Sequence, residues 1–302
     1  MRIVIAGATG FVGRSLVNAL MTQGHELIVL SRRTAKPGQI HGKVRYVIWN
    51  PETEGLLIRE IDGADAVINL AGEPVIGKRW NKSQKEKILT SRVNATKTIV
   101  HSIEKSTRKP RVLVNASAIG IYGSRGNEEL SEEAIAGNDF LSNACKAWEA
   151  HAIRAQDFGV RVVRLRIGVV LGRDGGALQK MLPPFKFFAG GWLGSGNQWM
   201  SWIHLSDLIK LIEFSLTNER VSGVLNAVSP QPVTNKAFSM VLAQILKRPC
   251  FLPAPEIALK ILLGEMSVIL LGSARVIPKK TKASGFQFQY SDIRSALESI
   301  LK

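Results

Sequence analysis

The chain has 302 residues, 45% of them hydrophobic and 21% charged, with a formal net charge of +16. That length and apolar content suit one large α/β domain with a smaller lobe, and exclude a disordered or collagen-like chain. Its two cysteines, Cys145 and Cys250, are far apart in sequence and fit neither a disulfide framework nor a metal site, so a reduced, intracellular protein without metal is expected.

The first two-thirds of the chain alternates short apolar strands with amphipathic helices. Strands are predicted at residues 2–6, 26–30, 44–48, 66–69, 111–115 and 160–166. Helices are predicted at about 11–22, 81–105 and 138–157, the last ended by Gly159. The strand runs are short, apolar and β-branched, as buried parallel strands are. This rhythm predicts an α/β fold, a Rossmann-type doubly wound parallel sheet. After Gly168 the segment "GRDGGALQKMLPPFKFFAGGWLGSGNQWMSW" is rich in glycine, proline and tryptophan and reads as a loop-rich lobe. Beyond it, helices are expected at 207–217, 233–246, 255–263 and 291–301, with a strand at 224–227. The core is therefore assigned to residues 1–170, with 203–228 returning to it. Residues 171–202 and 229–302 form the smaller substrate lobe. The apolar stretch 257–276 is interrupted by Lys260, Glu265 and Arg275 and reads as two packed helices, not a membrane span. The apolar first strand starts without a charged leader, so no secretory signal is expected. The setting expected is cytoplasmic, or plastid stroma if a transit peptide has been removed.

"GATGFVG" places Gly7, Gly10 and Gly13 between the first strand and the first helix. In that context the spacing marks a dinucleotide site. Gly7 allows the tight turn, Gly10 lets the backbone approach a pyrophosphate, and Gly13 lets the helix pack close. Thr9, Phe11 and Val12 complete the loop and the helix start. Cofactor choice is read at the end of the second strand, where an acid would bind the ribose hydroxyls of NAD. This chain has Ser31, Arg32 and Arg33 there. A hydroxyl and two guanidinium groups suit a 2′-phosphate, which predicts NADP(H). The alternative is that both arginines point to solvent. The small Ala71 and Gly72 in "DAVINLAGE" would let an adenosine lie across the strand tip.

Together with "NLAGEP", "SAIGIYG", "RIGVVLG", "GSGNQWMSWIH", "GVLNAVSP" and "LGSARVIPKKTKASGFQFQY", these pieces resemble the extended short-chain dehydrogenase/reductase superfamily along the full chain. The resemblance is to its atypical "epimerase family" branch, which carries a small C-terminal domain. It implies an NADP-binding Rossmann protein. Members are commonly labelled epimerases without an established substrate, some as cell division inhibitors, and plastid relatives are linked to plastid division. By this resemblance Leu70 and Ala71 line the adenosine half, and Lys87 and Arg92 reach the cofactor phosphates or ribose. Gly168 and Val169 then pass the nicotinamide. Lys87 reads equally well as a solvated helix residue.

A working short-chain dehydrogenase uses a Ser/Thr, a Tyr and a Lys, the lysine holding the ribose and lowering the tyrosine pKa. Here Lys146 is present, but four residues earlier stands Ser142. Counting back from Tyr122 puts Ala118 at the Ser/Thr position, with Ser117 beside it. Tyr122, Ser117 and Lys146 are the catalytic candidates. Tyr122 also reads as a structural turn residue. Glu73, Cys145 and His204 are substitutes for the missing acid or base, and His204 reads also as a helix-start residue. Trp80, Trp192, Trp199 and Trp202 are candidates for aromatic walls of a substrate pocket. Arg166 would meet an anionic substrate or pair with a buried acid.

The reading that follows is an NADP(H)-binding oxidoreductase or epimerase acting on a small molecule. Its rival is a non-catalytic NADPH-binding sensor or scaffold, linked to cell or plastid division. The basic clusters Lys78–Lys87, Arg108–Arg111 and Lys279–Lys282 read either as solvated faces or as contacts for an anionic partner. No aromatic-interleaved basic ribbon points to nucleic acid, and the oligomeric state stays open.

Overall fold

Seven parallel strands form the central sheet: β1 (Arg2–Ala6), β2 (Glu26–Ser31), β3 (Val44–Ile48), β4 (Ala66–Asn69), β5 (Val112–Ala118), β6 (Arg161–Ile167) and β7 (Gly223–Ala227). The structure is a computed structural model and describes residues 1–32, 43–51 and 56–302. The spatial order is β7-β6-β5-β4-β1-β2-β3. The chain reverses direction across the sheet between β3 and β4, so β1 and β4 flank the topological switch point where such sheets open a crevice. Ala6 pairs with Leu30 on one side and Asn69 on the other. The loops after β1, β2 and β4 therefore leave one edge of the sheet side by side.

Alternation along each strand sends side chains to two cores. Ile3, Ile5, Leu27, Val29 and Ile68 pack with α1 (Phe11–Thr22) and α6 (Leu205–Thr217). Val4, Ala6, Ile28, Leu30 and Val67 pack with α2 (Leu56–Ile61), α3 (Lys82–Lys105) and α4 (Phe140–Ile153). Each fully buried aliphatic side chain of this kind contributes about 1.5–3 kcal/mol.

A separate apolar core holds α5 (Gly176–Lys186), Trp202, α7 (Asn235–Leu246) and α11 (Ile293–Leu301). α5 falls in the stretch expected to be loop. Its Gly175–Gly176 start and its Pro183 and Pro184 mask the helical pattern. The prolines fall in its last turn and lack the amides that would donate to the carbonyls of Gln179 and Lys180. The 257–276 stretch yields α8 (Glu256–Leu263) and α9 (Val268–Leu271). Neither holds a fully buried residue, but Leu263 of α8 and Ile269 of α9 pack against the cluster of Trp80, Ile88 and Met266, so each helix is packed along one side, as expected. Another short helix, α10 (Lys279–Ala283), precedes α11. Among the described residues no helix is long and apolar enough to cross a membrane.

Candidate cofactor and substrate site

The turn after β1 is shaped by backbone contact. Gly7 has φ +81°, and a Cβ there would stand 2.5 Å from the Leu70 carbonyl carbon and 2.7 Å from the Ala71 nitrogen. Only glycine fits that conformation and that approach. A Cβ on Gly13 would sit 2.3 Å from the Gly7 carbonyl oxygen, so α1 lies directly against the turn. Gly10 is exposed, and a Cβ there would meet only the Gly7 oxygen, at 3.3 Å. The start of α1 has no side-chain cap and no acid in its first turn. Its first amides, at Phe11 and Val12, are thus left for an incoming anion. Thr9 is exposed beside them, and Arg14 braces the loop by donating to the Thr9 carbonyl (3.1 Å). The Phe11 ring faces the other way, filling the space where Gly172, Gly175 and Gly176 lack side chains.

Ser31 ends β2 and Arg32 follows it, exposed, at the same sheet edge as Gly7. Arg33 lies outside the described residues. On the other side of the turn Asn69 fixes the tip of β4. Its amide donates to Asn115 Oδ1 (2.7 Å) and Thr96 Oγ1 (2.9 Å), and its Oδ1 accepts from the Ala71 amide (3.1 Å). Arg92 lies over the Trp148 ring at 5.1 Å and donates to the carbonyls of Glu73 and Ile88, both at 2.9 Å. Its guanidinium covers Gly72, where a Cβ would be 3.0 Å away. Burial lowers the Arg92 pKa, opposed by Cys145 and Glu73, although arginine remains charged throughout. Gly7, Leu70, Ala71, Gly72 and Arg92 thus form one continuous wall. Glu73 is half-buried with its amide on Ser91 Oγ (3.0 Å), and Lys87 is exposed on α3. Gly168 is on the far side, packed too closely against the Ser201 carbonyl (2.6 Å) to admit a Cβ, and Val169 donates to the same carbonyl (2.9 Å).

The catalytic helix is arranged differently from a Tyr-x-x-x-Lys site. Asp139 caps α4 by accepting from the Ser142 amide (2.8 Å). The Ser142 hydroxyl is fully buried, 2.9 Å from Asp139 Oδ1 and 3.1 Å from the Gly120 carbonyl. Gly137 passes directly over it, where a Cβ would be 2.7 Å from Ser142 Oγ, and Gly123 closes the other side at 3.5 Å. The space a tyrosine ring needs is filled by backbone. Lys146 is exposed and donates to the Gly137 carbonyl (3.1 Å). Gly137 also lines an open cavity of about 430 Å³ bounded by residues 122–125 and 136–139.

The remaining catalytic candidates are engaged in a buried network. Glu149 on α4 accepts from Ser117 Oγ (2.7 Å), from Arg166 Nε and Nη2 (2.9 and 3.1 Å) and from Arg164 Nη1 (3.1 Å). Arg166 also donates to Tyr122 Oη (2.9 Å), which itself donates to Asn226 Oδ1 (2.7 Å). Glu132 joins the far end, accepting from the amides of Asn226, Lys280 and Thr281. Burial raises the Tyr122 pKa, and the Arg166 charge only partly offsets it. Burial works against the Arg166 charge, but Glu149 and Tyr122 together outweigh it and raise the pKa. Ser117 and Tyr122 therefore hold the fold together, and their hydroxyls are spent on it. Arg166 pairs with a buried acid instead of facing a substrate.

Three further pocket candidates move inward for similar reasons. Trp80 is buried, donates to the Val75 carbonyl (2.9 Å) and packs edge-on against Phe140. Trp202 is fully buried and donates to the Gln231 carbonyl (3.0 Å). His204 caps α6, accepting from the Ser206 amide at Nδ1 (3.1 Å), and its ring lies 4.0 Å from that of Tyr290. Burial lowers the His204 pKa against the pull of Asp207. Trp80 and Trp202 each found a core position for a large apolar body and needed a partner only for the polar tip, while His204 is half-buried at the helix start.

A family model described as the NAD dependent epimerase/dehydratase family matches residues 3–227. The chain belongs to that family. A second model, a domain of unknown function named DUF1731, matches residues 254–300. Among relatives of this epimerase/dehydratase chain, the chloroplastic "Epimerase family protein SDR39U1 homolog" of Arabidopsis thaliana is 41% identical, over 100% of this chain and 87% of its own. "Epimerase family protein YfhF" of Bacillus subtilis is 40% identical, over 100% and 98%. The solved structure of human epimerase family protein SDR39U1 (isoform 2) with NADPH superposes with a TM-score of 0.89 at 33% identity, covering 99% of both chains.

Within the family frame, sequence reasoning missed the residues that hold the site in place: Asn69, Asp139, Glu149 and Glu132. Asp139 was legible as an acid just before a helix with its partner three residues on. Glu149 carried no local signal, because its partners Ser117, Arg164 and Arg166 lie on other elements.

Proposed function

We propose that the protein binds NADP(H) at the turn after β1 and uses it as an oxidoreductase or epimerase on a small molecule. The observation that carries this reading is the open Gly10 position beside the uncapped start of α1, next to an exposed arginine where NAD enzymes place an acid. The human relative solved with NADPH supports it. Phe11 and Val12 amides hold the pyrophosphate, Ser31 and Arg32 the 2′-phosphate, and Leu70, Ala71 and Gly72 the adenosine. The bound nicotinamide supplies or accepts the hydride.

Lys146 is an exposed cation bonded to the carbonyl of Gly137, which lines the 430 Å³ cavity, and in this reading it moves from that carbonyl to a ribose hydroxyl. Tyr122 and Ser117 have no part in proton transfer in this reading, and a substrate-borne or solvent proton serves instead. Residues 1–170 and 203–228 carry the cofactor, and the remaining residues shape the substrate side. We place the protein in the cytoplasm or the plastid stroma, and the chloroplastic relative supports only the second.

The experiment is a screen of carbonyl compounds and nucleotide sugars, following loss of NADPH absorbance and isomerisation of the sugar. Turnover that falls with Lys146→Ala supports the enzyme. The sealed Ser142 position favours one other reading, an NADPH-binding sensor without turnover. Tight NADPH binding with no substrate consumed across the screen would select it.

A further inference from the structure

α8 is an unusual element for a surface. Its sequence, EIALKILL, is apolar on most sides, yet none of its residues is buried. Ile257, Ile261 and Leu262 are 73%, 72% and 71% exposed. An isolated exposed leucine needs no explanation, but a run of this kind marks an interaction surface.

The run does not stop at α8. Residues 251–254, which lead into it, lie along residues 190–194. The Ala254 amide donates to the Trp192 carbonyl and the Gly194 amide to the Ala254 carbonyl, both at 2.8 Å, while the Phe251 amide reaches the Gly190 carbonyl at 3.2 Å. This pairing sets Phe251 and Leu252 between α8 and the end of α5, where Phe187 stands 80% exposed. One continuous apolar ridge results, built from two segments that are distant in sequence.

The charge around the ridge selects its partner. Residues 177–194 and 236–264 contain six basic side chains and a single acid, Glu256. That acid is paired with Lys260 at 2.6 Å. Arg248 lies over the Phe188 ring at 4.5 Å, holding its charge beside the ridge. A second copy of the chain would bring the same positive ridge against itself, since a two-fold interface pairs each patch with itself. An anionic bilayer offers apolar depth and negative charge together. α8 spans about 12 Å at 1.5 Å per residue, far short of a hydrocarbon core of about 30 Å, so contact is peripheral.

We propose that the ridge formed by α8, residues 251–252 and Phe187 docks the protein on anionic lipid surfaces, with Lys186, Lys247, Arg248 and Lys260 facing the headgroups. The proposal is independent of cofactor binding. The test is co-sedimentation of the full chain with vesicles of equal phosphatidylglycerol and phosphatidylcholine, against vesicles of phosphatidylcholine alone. The chain binds the anionic vesicles more tightly, and added salt weakens binding. The triple variant Ile257→Asp, Ile261→Asp, Leu262→Asp loses binding while its melting temperature is unchanged, because those side chains are exposed. Lys186→Glu or Arg248→Glu alone weakens binding at least about fivefold, the effect of removing one cation near an anionic surface. Failure of the wild-type chain to sediment with anionic vesicles overturns the proposal. So does undiminished binding of the triple variant, or a wild-type dimer in solution that the triple variant dissociates with no vesicle binding by either.

Discussion

Replacing Glu149 by alanine tests how the buried network is held. The Glu149 carboxylate accepts four bonds, between 2.7 and 3.1 Å, from Ser117, Arg164 and Arg166. The carboxylate is 5% exposed and the Arg164 and Arg166 side chains are 18% and 10% exposed. Removing the acid strands two guanidinium groups away from water, and Arg164 Nε already lacks a partner. Breaking a buried pair in this way costs about 3–5 kcal/mol. With an unfolding entropy of about 2.1 cal/mol/K per residue, that lowers the melting temperature of a chain this size by about 5–8 °C. The assay is differential scanning calorimetry with and without NADPH. The Glu149 carboxylate bonds Ser117, Arg164 and Arg166 and none of the residues of the glycine turn, so the fall is expected in both states. A fall of less than about 2 °C would mean the arginines find solvent or another acid, and would return Arg166 to the list of substrate-binding candidates.

Gly13→Ala puts a methyl 2.3 Å from the Gly7 carbonyl and is expected to abolish NADPH binding by calorimetry while leaving the lobe core intact. Ser142→Tyr, which restores the motif on paper, is expected to lower stability and yield no new turnover, because Gly137 and Gly123 fill the ring's space. Burial raises the Cys145 thiol to about 11, with Arg92 pulling the other way. Cys145 therefore resists thiol reagents at pH 8 while Cys250 reacts. Because the folded pKa is the higher one, its stabilising contribution is complete below pH 9 and is lost as pH rises to about 11. Urea unfolding at pH 8 and pH 11 checks this, the drop being smaller in Cys145→Ala. Tyr122 adds to the same alkaline loss above pH 10, since burial raises its pKa too.

The strands were legible because each carries a short apolar run, and the bounds of β3 and β4 match the residues expected, but their spatial order rests on pairings across the sheet that no single run reveals. α5 was hidden by its glycines and prolines, whose local preferences oppose a helix that the lobe core nevertheless holds through Leu178 and Phe185. The cofactor turn was legible because Gly7, Gly10 and Gly13 recur at a fixed spacing directly after β1, although the backbone that Gly7 makes room for, at Leu70 and Ala71, is distant in sequence. The polar network was not. Arg166 and Tyr122 each carried both a site reading and a structural one, and only the folding of α4 onto β5 and β6, which brings Glu149 to Arg166, decides for the structural one. Trp80 and Trp202 misled because a tryptophan reads as a pocket wall until its core partners are in place, whereas the helix-start reading of His204 is the one the fold shows.

The measurement that bears most directly on the account is isothermal calorimetry of NADPH and NADH with the wild-type chain and Arg32→Ala. Wild type is expected to bind NADPH far more tightly than NADH. Arg32→Ala should weaken NADPH binding about 10- to 100-fold, the loss of one charge-assisted contact, and leave NADH binding unchanged. Equal affinity for the two cofactors, or NADPH binding indifferent to Arg32, would contradict the assignment of the 2′-phosphate to the end of β2.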